Sequence, residues 1–89
     1  MSLSLAGELT FARARELLDG SRSQVSQGQG PMEIDLSGVT RVDSAGLALL
    51  LELARAARAA GRELRCTRAP EKLRRLADFF GLTPLLALS

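Results

Sequence analysis

Asp43, Ser44 and Gly46 are the residues whose types and spacing can do chemistry in this chain of 89 residues. They lie in the run Asp35-Leu36-Ser37-Gly38-Val39-Thr40-Arg41-Val42-Asp43-Ser44-Ala45-Gly46-Leu47, which ends a strand and opens a helix. At such a junction Asp43 or Ser44 can accept hydrogen bonds from the first free helix N–H groups, as N-caps do. The same open N–H groups and the positive end of the helix dipole would stabilise an anion, such as a phosphoryl group on Ser44. Ser44 is therefore a candidate phospho-acceptor, and two readings compete: an ordinary cap, or a tip that binds and switches.

A strand and a helix must hold this junction. Met32-Glu33-Ile34-Asp35-Leu36 reads as a short strand, and an Ala/Leu-rich run without a breaker predicts a helix over 44–60 ended by Gly61. Residues 2–6 alternate polar and apolar as a strand does, ending in Gly7. Thr10 then caps a helix with Phe11, Ala14, Leu17 and Leu18 at helical spacing. Asp19-Gly20 weakens that helix, and 21–31 reads as a frayed end followed by a loop. A 63–67 strand and a 70–80 helix, with Pro70 in its first turn and Gly81 at its end, complete a βα alternation. The tail Leu85-Leu86-Ala87-Leu88 is a final strand or a turn. The expected fold is α/β: a single domain over residues 1–89, with a small parallel or mixed sheet covered by helices.

Asp43-Ser44-x-Gly46-Leu47 at a strand-to-helix turn resembles the signature of the STAS domain family, small α/β modules named for sulfate transporters and anti-sigma-factor antagonists. Asp35-Leu36-Ser37, Val39 to Val42 and Leu47-Ala48-Leu49-Leu50-Leu51 are similar to its MlaB-type members, the cytoplasmic subunits of bacterial Mla phospholipid ABC transporters. Weaker similarity runs from Leu5-x-Gly7-Glu8-Leu9 to Leu73-x-x-Leu76-Ala77. This resemblance implies a non-catalytic subunit that binds and supports an MlaF-like ATPase, in a complex with an MlaE-like permease and an MlaD-like substrate-binding protein. It would sit in the cytoplasm, at the inner membrane through that partner. Resemblance to the antagonists implies the alternative, a serine-kinase anti-sigma factor as partner, which phosphorylates Ser44. The antagonists usually show Ser or Thr where this chain has Ala45, and MlaB proteins commonly have Thr at 44 and Gly at 45. Ser44 keeps the hydroxyl that either role needs, and Leu49-Leu50-Leu51 favours the transporter.

On a wheel of about 100° per residue, Leu47, Leu50, Leu51, Ala54 and Arg58 fall on the side of the 44–60 helix that packs on the sheet. Nearly opposite, Ala45, Leu49, Leu53, Ala56 and Ala60 form a second apolar stripe beginning beside Ser44. Either another helix covers it, or it is a partner-binding face. In the second case Asp43, Ser44, Ala45, Gly46, Leu49 and Leu53 form the interface, and the exposure of Leu49 and Leu53 decides between the two.

Composition bounds the remaining functions. With no Trp or Tyr, Leu, Ala and the three Phe are expected to fill the core. Cys66, in the 63–67 strand, is expected to pack as a small apolar group, with no His in the chain to activate it. Arg55 to Arg75 carries eight basic residues against Glu63 and Glu71, a charge of +6, leaving −4 for the rest of a chain at +2. A solvated helix face is the ordinary account of that charge. Nucleic acid is disfavoured because no aromatic stacking residue accompanies the arginines. Without an 18-residue apolar run or a signal peptide, no direct membrane insertion is expected. Carboxylates scattered singly and a Gly28-Gln29-Gly30 that lacks the Lys-Ser/Thr of a phosphate loop argue against an enzyme, a metal site or a cofactor.

Overall fold

Three strands and four helices alternate along residues 2–88, the residues that the computed structural model describes: β1 (Ser2–Leu9), α1 (Phe11–Gln27), β2 (Met32–Val42), α2 (Ser44–Ala59), β3 (Leu64–Thr67), α3 (Glu71–Phe79) and α4 (Thr83–Leu86). The strands are parallel, in the order β1-β2-β3. Successive right-handed crossovers in one direction put α1 and α2 on the same face, and the two helices pack along each other. Met32, Ile34 and Leu36 of β2 point into that helical layer and are buried, whereas Glu33 between the first two and Ser37 beyond the last are exposed. Parallel sheets are usually covered on both faces. Here the second face is polar, and the fold has two layers.

Several elements run beyond their expected ends, each because of a tertiary partner. β1 continues through Gly7 to Leu9, its register against β2 shifted around Ser4–Ala6 and Gly7–Glu8. β2 continues to Val42, because β1 pairs with it as far as Leu9↔Val42. α1 continues through Gly20 to Gln27, with Ser21 and Val25 buried one turn apart. That burial offsets the ~1 kcal/mol that a mid-helix glycine costs. Within the tail, Thr83–Leu86 is a short helix and Leu88 bridges to Cys66, so both a turn and a trace of strand pairing occur.

The core is aliphatic, built on Leu9, Ile34, Leu36, Leu50, Leu53 and Leu73. Phe11, Phe79 and Phe80, expected inside, are 84%, 82% and 52% exposed. Phe11 is the first residue of α1, ahead of that helix's buried positions. Leu73 and Ala77 fill the inward side of α3, and Phe79 lies ~140° around the helix from them. Leu49 and Leu53 are 2% and 0% exposed, so α1 covers the second stripe of α2 and the partner-binding reading of these two leucines is corrected. Arg62 is also corrected. It is not a member of a solvated basic face but is 5% exposed, its guanidinium donating to the carbonyls of Gly30 at 2.8 Å, Gln24 at 3.2 Å and Val25 at 2.8 Å. Cys66 packs as expected, buried, and burial pushes its thiol up to about 12.

Candidate interaction site at the α2 tip

Asp43 stands between β2 and α2 in extended conformation, as the N-cap of α2. Its Oδ1 accepts the Gly46 N–H at 3.0 Å, and its Oδ2 accepts the Phe11 N–H at 3.0 Å. One carboxylate therefore caps two helices. Thr10 precedes α1 as expected but makes no side-chain cap, and its backbone carbonyl accepts the Arg13 and Ala14 N–H groups. The Phe11 amide, then the Gly46 amide, hold the Asp43 carboxyl below the usual carboxylate range. The Asp43 N–H donates to the Leu9 carbonyl at 3.1 Å, so the same residue also fastens the end of β1.

Gly46 explains itself by close approach. A Cβ there would run into the Leu9 carbonyl oxygen and lie 2.8 Å from the Leu9 carbonyl carbon and 2.9 Å from its Cβ. Only glycine lets the first turn of α2 rest on the end of β1.

With Asp43 as the cap, Ser44 has no capping role. It is exposed at the first position of α2, and its hydroxyl has no hydrogen-bond partner among the described residues. Two hollows lie at this tip, one lined by Ser44 itself and the other by its neighbour Ala45. A groove of about 720 Å³ runs between α1 and α2, with Phe11, Ala14, Leu18, Ala45 and Ala48 along it and Leu49 at its floor. A shallower hollow of about 280 Å³ is bounded by Ser44, Ala48, Leu51, Phe80 and Leu82. Ala48 is common to both, so the two hollows adjoin.

The family model described as "Mlab, STAS domain" matches residues 1–87. The chain belongs to this family. No curated protein sequence matches it. Among solved structures, the STAS domain is similar to the anti-sigma factor antagonist SpoIIAA in its unphosphorylated form, with a TM-score of 0.78 and 20% identity over 99% of this chain and 77% of that one. It is similar to the Bacillus cell fate determinant SpoIIAA in the phosphorylated form, with a TM-score of 0.71 and 20% identity over 99% and 80%. A sulfate transporter family protein from Wolinella succinogenes gives a TM-score of 0.78 and 19% identity over 96% and 69%. At these identities the likeness is one of fold.

Of the expected site residues, this STAS domain brings Asp43, Ser44 and Ala45 to the surface of the tip. Gly46 lies beneath it as a packing residue, Leu49 reaches only the groove floor, and Leu53 belongs to the core. Sequence reasoning missed Phe11, Ala48, Leu51 and Phe80. A signal existed for the aromatic pair, since neighbours in a helix are about 100° apart and cannot both share one narrow inward stripe. The arginine-rich segment does not form one field. Besides the buried Arg62, Arg55 pairs with Glu52 at 3.0 Å, Arg75 with Glu71 at 2.8 Å and Arg68 with Asp35 at 3.5 Å. Among the described residues, no helix is long and apolar enough to cross a membrane.

Proposed function

We propose that this STAS domain is a non-catalytic subunit of a bacterial phospholipid ABC transporter of the Mla type. It binds the ATPase subunit through the Ser44 tip and supports that subunit's assembly or activity. The permease and the substrate-binding protein then complete the complex, which holds the domain on the cytoplasmic side of the inner membrane. The observation that carries the reading is a serine hydroxyl left without a partner among the described residues, on the edge of an apolar hollow, in a chain of the MlaB family. An interface of that composition suits a protein partner, because apolar surface gains by desolvation and one polar group fixes register.

The experiment is calorimetry or pull-down with the ATPase subunit. Ser44→Arg puts bulk and charge on a surface that must be desolvated, and binding is lost while the fold stays intact. Ser44→Thr, which keeps the hydroxyl, binds as wild type. Wild-type affinity in Ser44→Arg would place the interface elsewhere.

A second reading is favoured by the same free hydroxyl at a helix N-terminus and by the likeness to SpoIIAA, whose solved structures include an unphosphorylated and a phosphorylated form. In it the domain is an anti-sigma-factor antagonist, and a partner serine kinase phosphorylates Ser44 and so releases itself. Incubation with the partner kinase and ATP would then add one phosphoryl group to the wild-type chain and none to Ser44→Ala. No mass change in the wild type removes this reading.

A further inference from the structure

We propose that the ATPase partner seats an amphipathic helix in the groove between α1 and α2, with Phe11 as its anchor. This rests on the reading of the Ser44 tip as the docking surface and names what fills it. The far end of the groove is closed by the Arg22–Glu52 ion pair, 3.4 Å long, which bridges the two helices. The near end opens between Phe11 and Ala45, the residue next to Ser44, and Phe11 there stands almost fully in water. An aromatic ring that exposed is stabilised when a partner removes it from water, and aromatic anchors dominate such interfaces. Along the groove, Ala14, Ala45 and Ala48 are small enough to let a third helix come close.

The rim adds the charge pattern that the occupant must match. Arg15 and Asp19 are exposed, one turn apart on α1, and neither has an ion-pair partner among the described residues. A helix with an apolar stripe would set an acid opposite Arg15 and a base opposite Asp19. A small apolar molecule in the same groove would leave both charges unmatched.

Calorimetry of the full chain with the ATPase subunit tests this. Phe11→Ala is expected to weaken binding at least ~10-fold, the scale of an anchor residue, and Ala48→Arg, which fills the groove from an exposed position, to abolish it. Phe79→Ala, at an equally exposed ring off the groove, is expected to bind as wild type. Thermal melts should match wild type for Phe11→Ala, because its cap to Asp43 is made by the backbone N–H. Hydrogen exchange on the complex should protect one helix of the ATPase.

If Ser44→Arg abolishes binding while Phe11→Ala and Ala48→Arg bind as wild type, the tip docks the partner and the groove inference is overturned. Protection of a loop or strand instead of a helix overturns the occupant. If Ser44→Arg, Phe11→Ala and Ala48→Arg all bind as wild type, or wild type itself does not bind, the tip reading falls and takes the groove with it. Light scattering covers self-association: a wild-type dimer that Ala48→Arg splits assigns the groove to a second copy and overturns the proposal.

Discussion

The two ends of α1 are each held by one charged side chain from elsewhere in the chain, and they differ in what they leave open. At the N-terminus the Asp43 carboxylate accepts the Phe11 N–H while capping α2. At the C-terminus the Arg62 guanidinium donates to the Gln24 and Val25 carbonyls and to Gly30 beyond them. Each has the sign that the helix dipole favours at that end. Around Arg62 the chain closes, and a Cβ on Gly28 would lie 2.9 Å from the Arg62 guanidinium carbon. Around Asp43 it stays open, with Ser44 and Phe11 exposed beside the carboxylate. A buried charge that satisfies several backbone groups marks a place built for folding. A polar group whose capping work a neighbour already does, set among exposed apolar side chains, marks a place available to a partner.

The sharpest way to break this contrast is Arg62→Met, which keeps an apolar stem and removes the donors. Several carbonyls are then left in a crowded interior, and the loss should be about 3 kcal/mol, roughly 1 kcal/mol per unmade bond. Urea unfolding measures it, and affinity for the proposed ATPase partner at temperatures where the variant is folded should not change. A loss under ~0.5 kcal/mol, the scale of an ordinary surface substitution, would mean that the C-terminal end of α1 is not held by Arg62.

A smaller loss is expected at the other end, from Asp43→Ala, because backbone amides freed there can turn to water. This change should also weaken partner binding, since it loosens the first turns of both α1 and α2 at the tip. The pH dependence carries the sign. The Asp43 carboxyl is held below its ordinary value in the folded chain, so its contribution is fully present above the unfolded carboxylate pKa of about 3.9. It is lost as pH falls through the lower, folded value. Asp35 is held down as well, first by the Ser37 N–H at 2.9 Å and lastly by Arg68. Asp43→Asn should therefore flatten part of the acid limb of the stability curve, and adding Asp35→Asn should flatten more of it. An acid limb unchanged in the double variant would show that neither carboxylate is held by folding.

Much of this was legible beforehand, and the failures share a cause. Asp43-Ser44-x-Gly46 announced a strand-to-helix junction because capping and close packing each demand a residue type at a fixed offset. Gly61 marked the end of α2 because a left-handed turn there, at φ 71°, favours glycine. What stayed hidden depends on which element covers which. Leu49 and Leu53 look like a free stripe until α1, extended by the burial of Val25, lies across them. Arg62 reads as one more surface base until the loop before β2 comes back over it. Phe11 reads as core from its spacing, but it precedes the turn where α1 meets the core. The cap itself was open for a local reason, since Asp43 and Ser44 were equivalent candidates until α2 proved to start at Ser44, with the extended Asp43 accepting the Gly46 N–H.

That last point sharpens the smallest prediction. If Ser44 were the cap, Ser44→Ala would cost ~1 kcal/mol of stability. Asp43 holds that role, and the Ser44 hydroxyl faces water without a partner, so Ser44→Ala should change stability by less than ~0.5 kcal/mol, as other surface substitutions do. Alanine is also the better helix former at an exposed position, which opposes any small loss. Binding is where the variant becomes informative. A hydrogen bond made by this hydroxyl across the interface would, when lost, reduce affinity by roughly 0.5–1.5 kcal/mol. The shape and charge of the surface would stay as they are. Paired melts and titrations of Ser44→Ala therefore separate the two ends of the comparison: stability unchanged with affinity reduced makes the hydroxyl an interface group. A stability loss near the cap value with affinity unchanged would return Ser44 to the fold, and Asp43 with Arg62 to a single structural class.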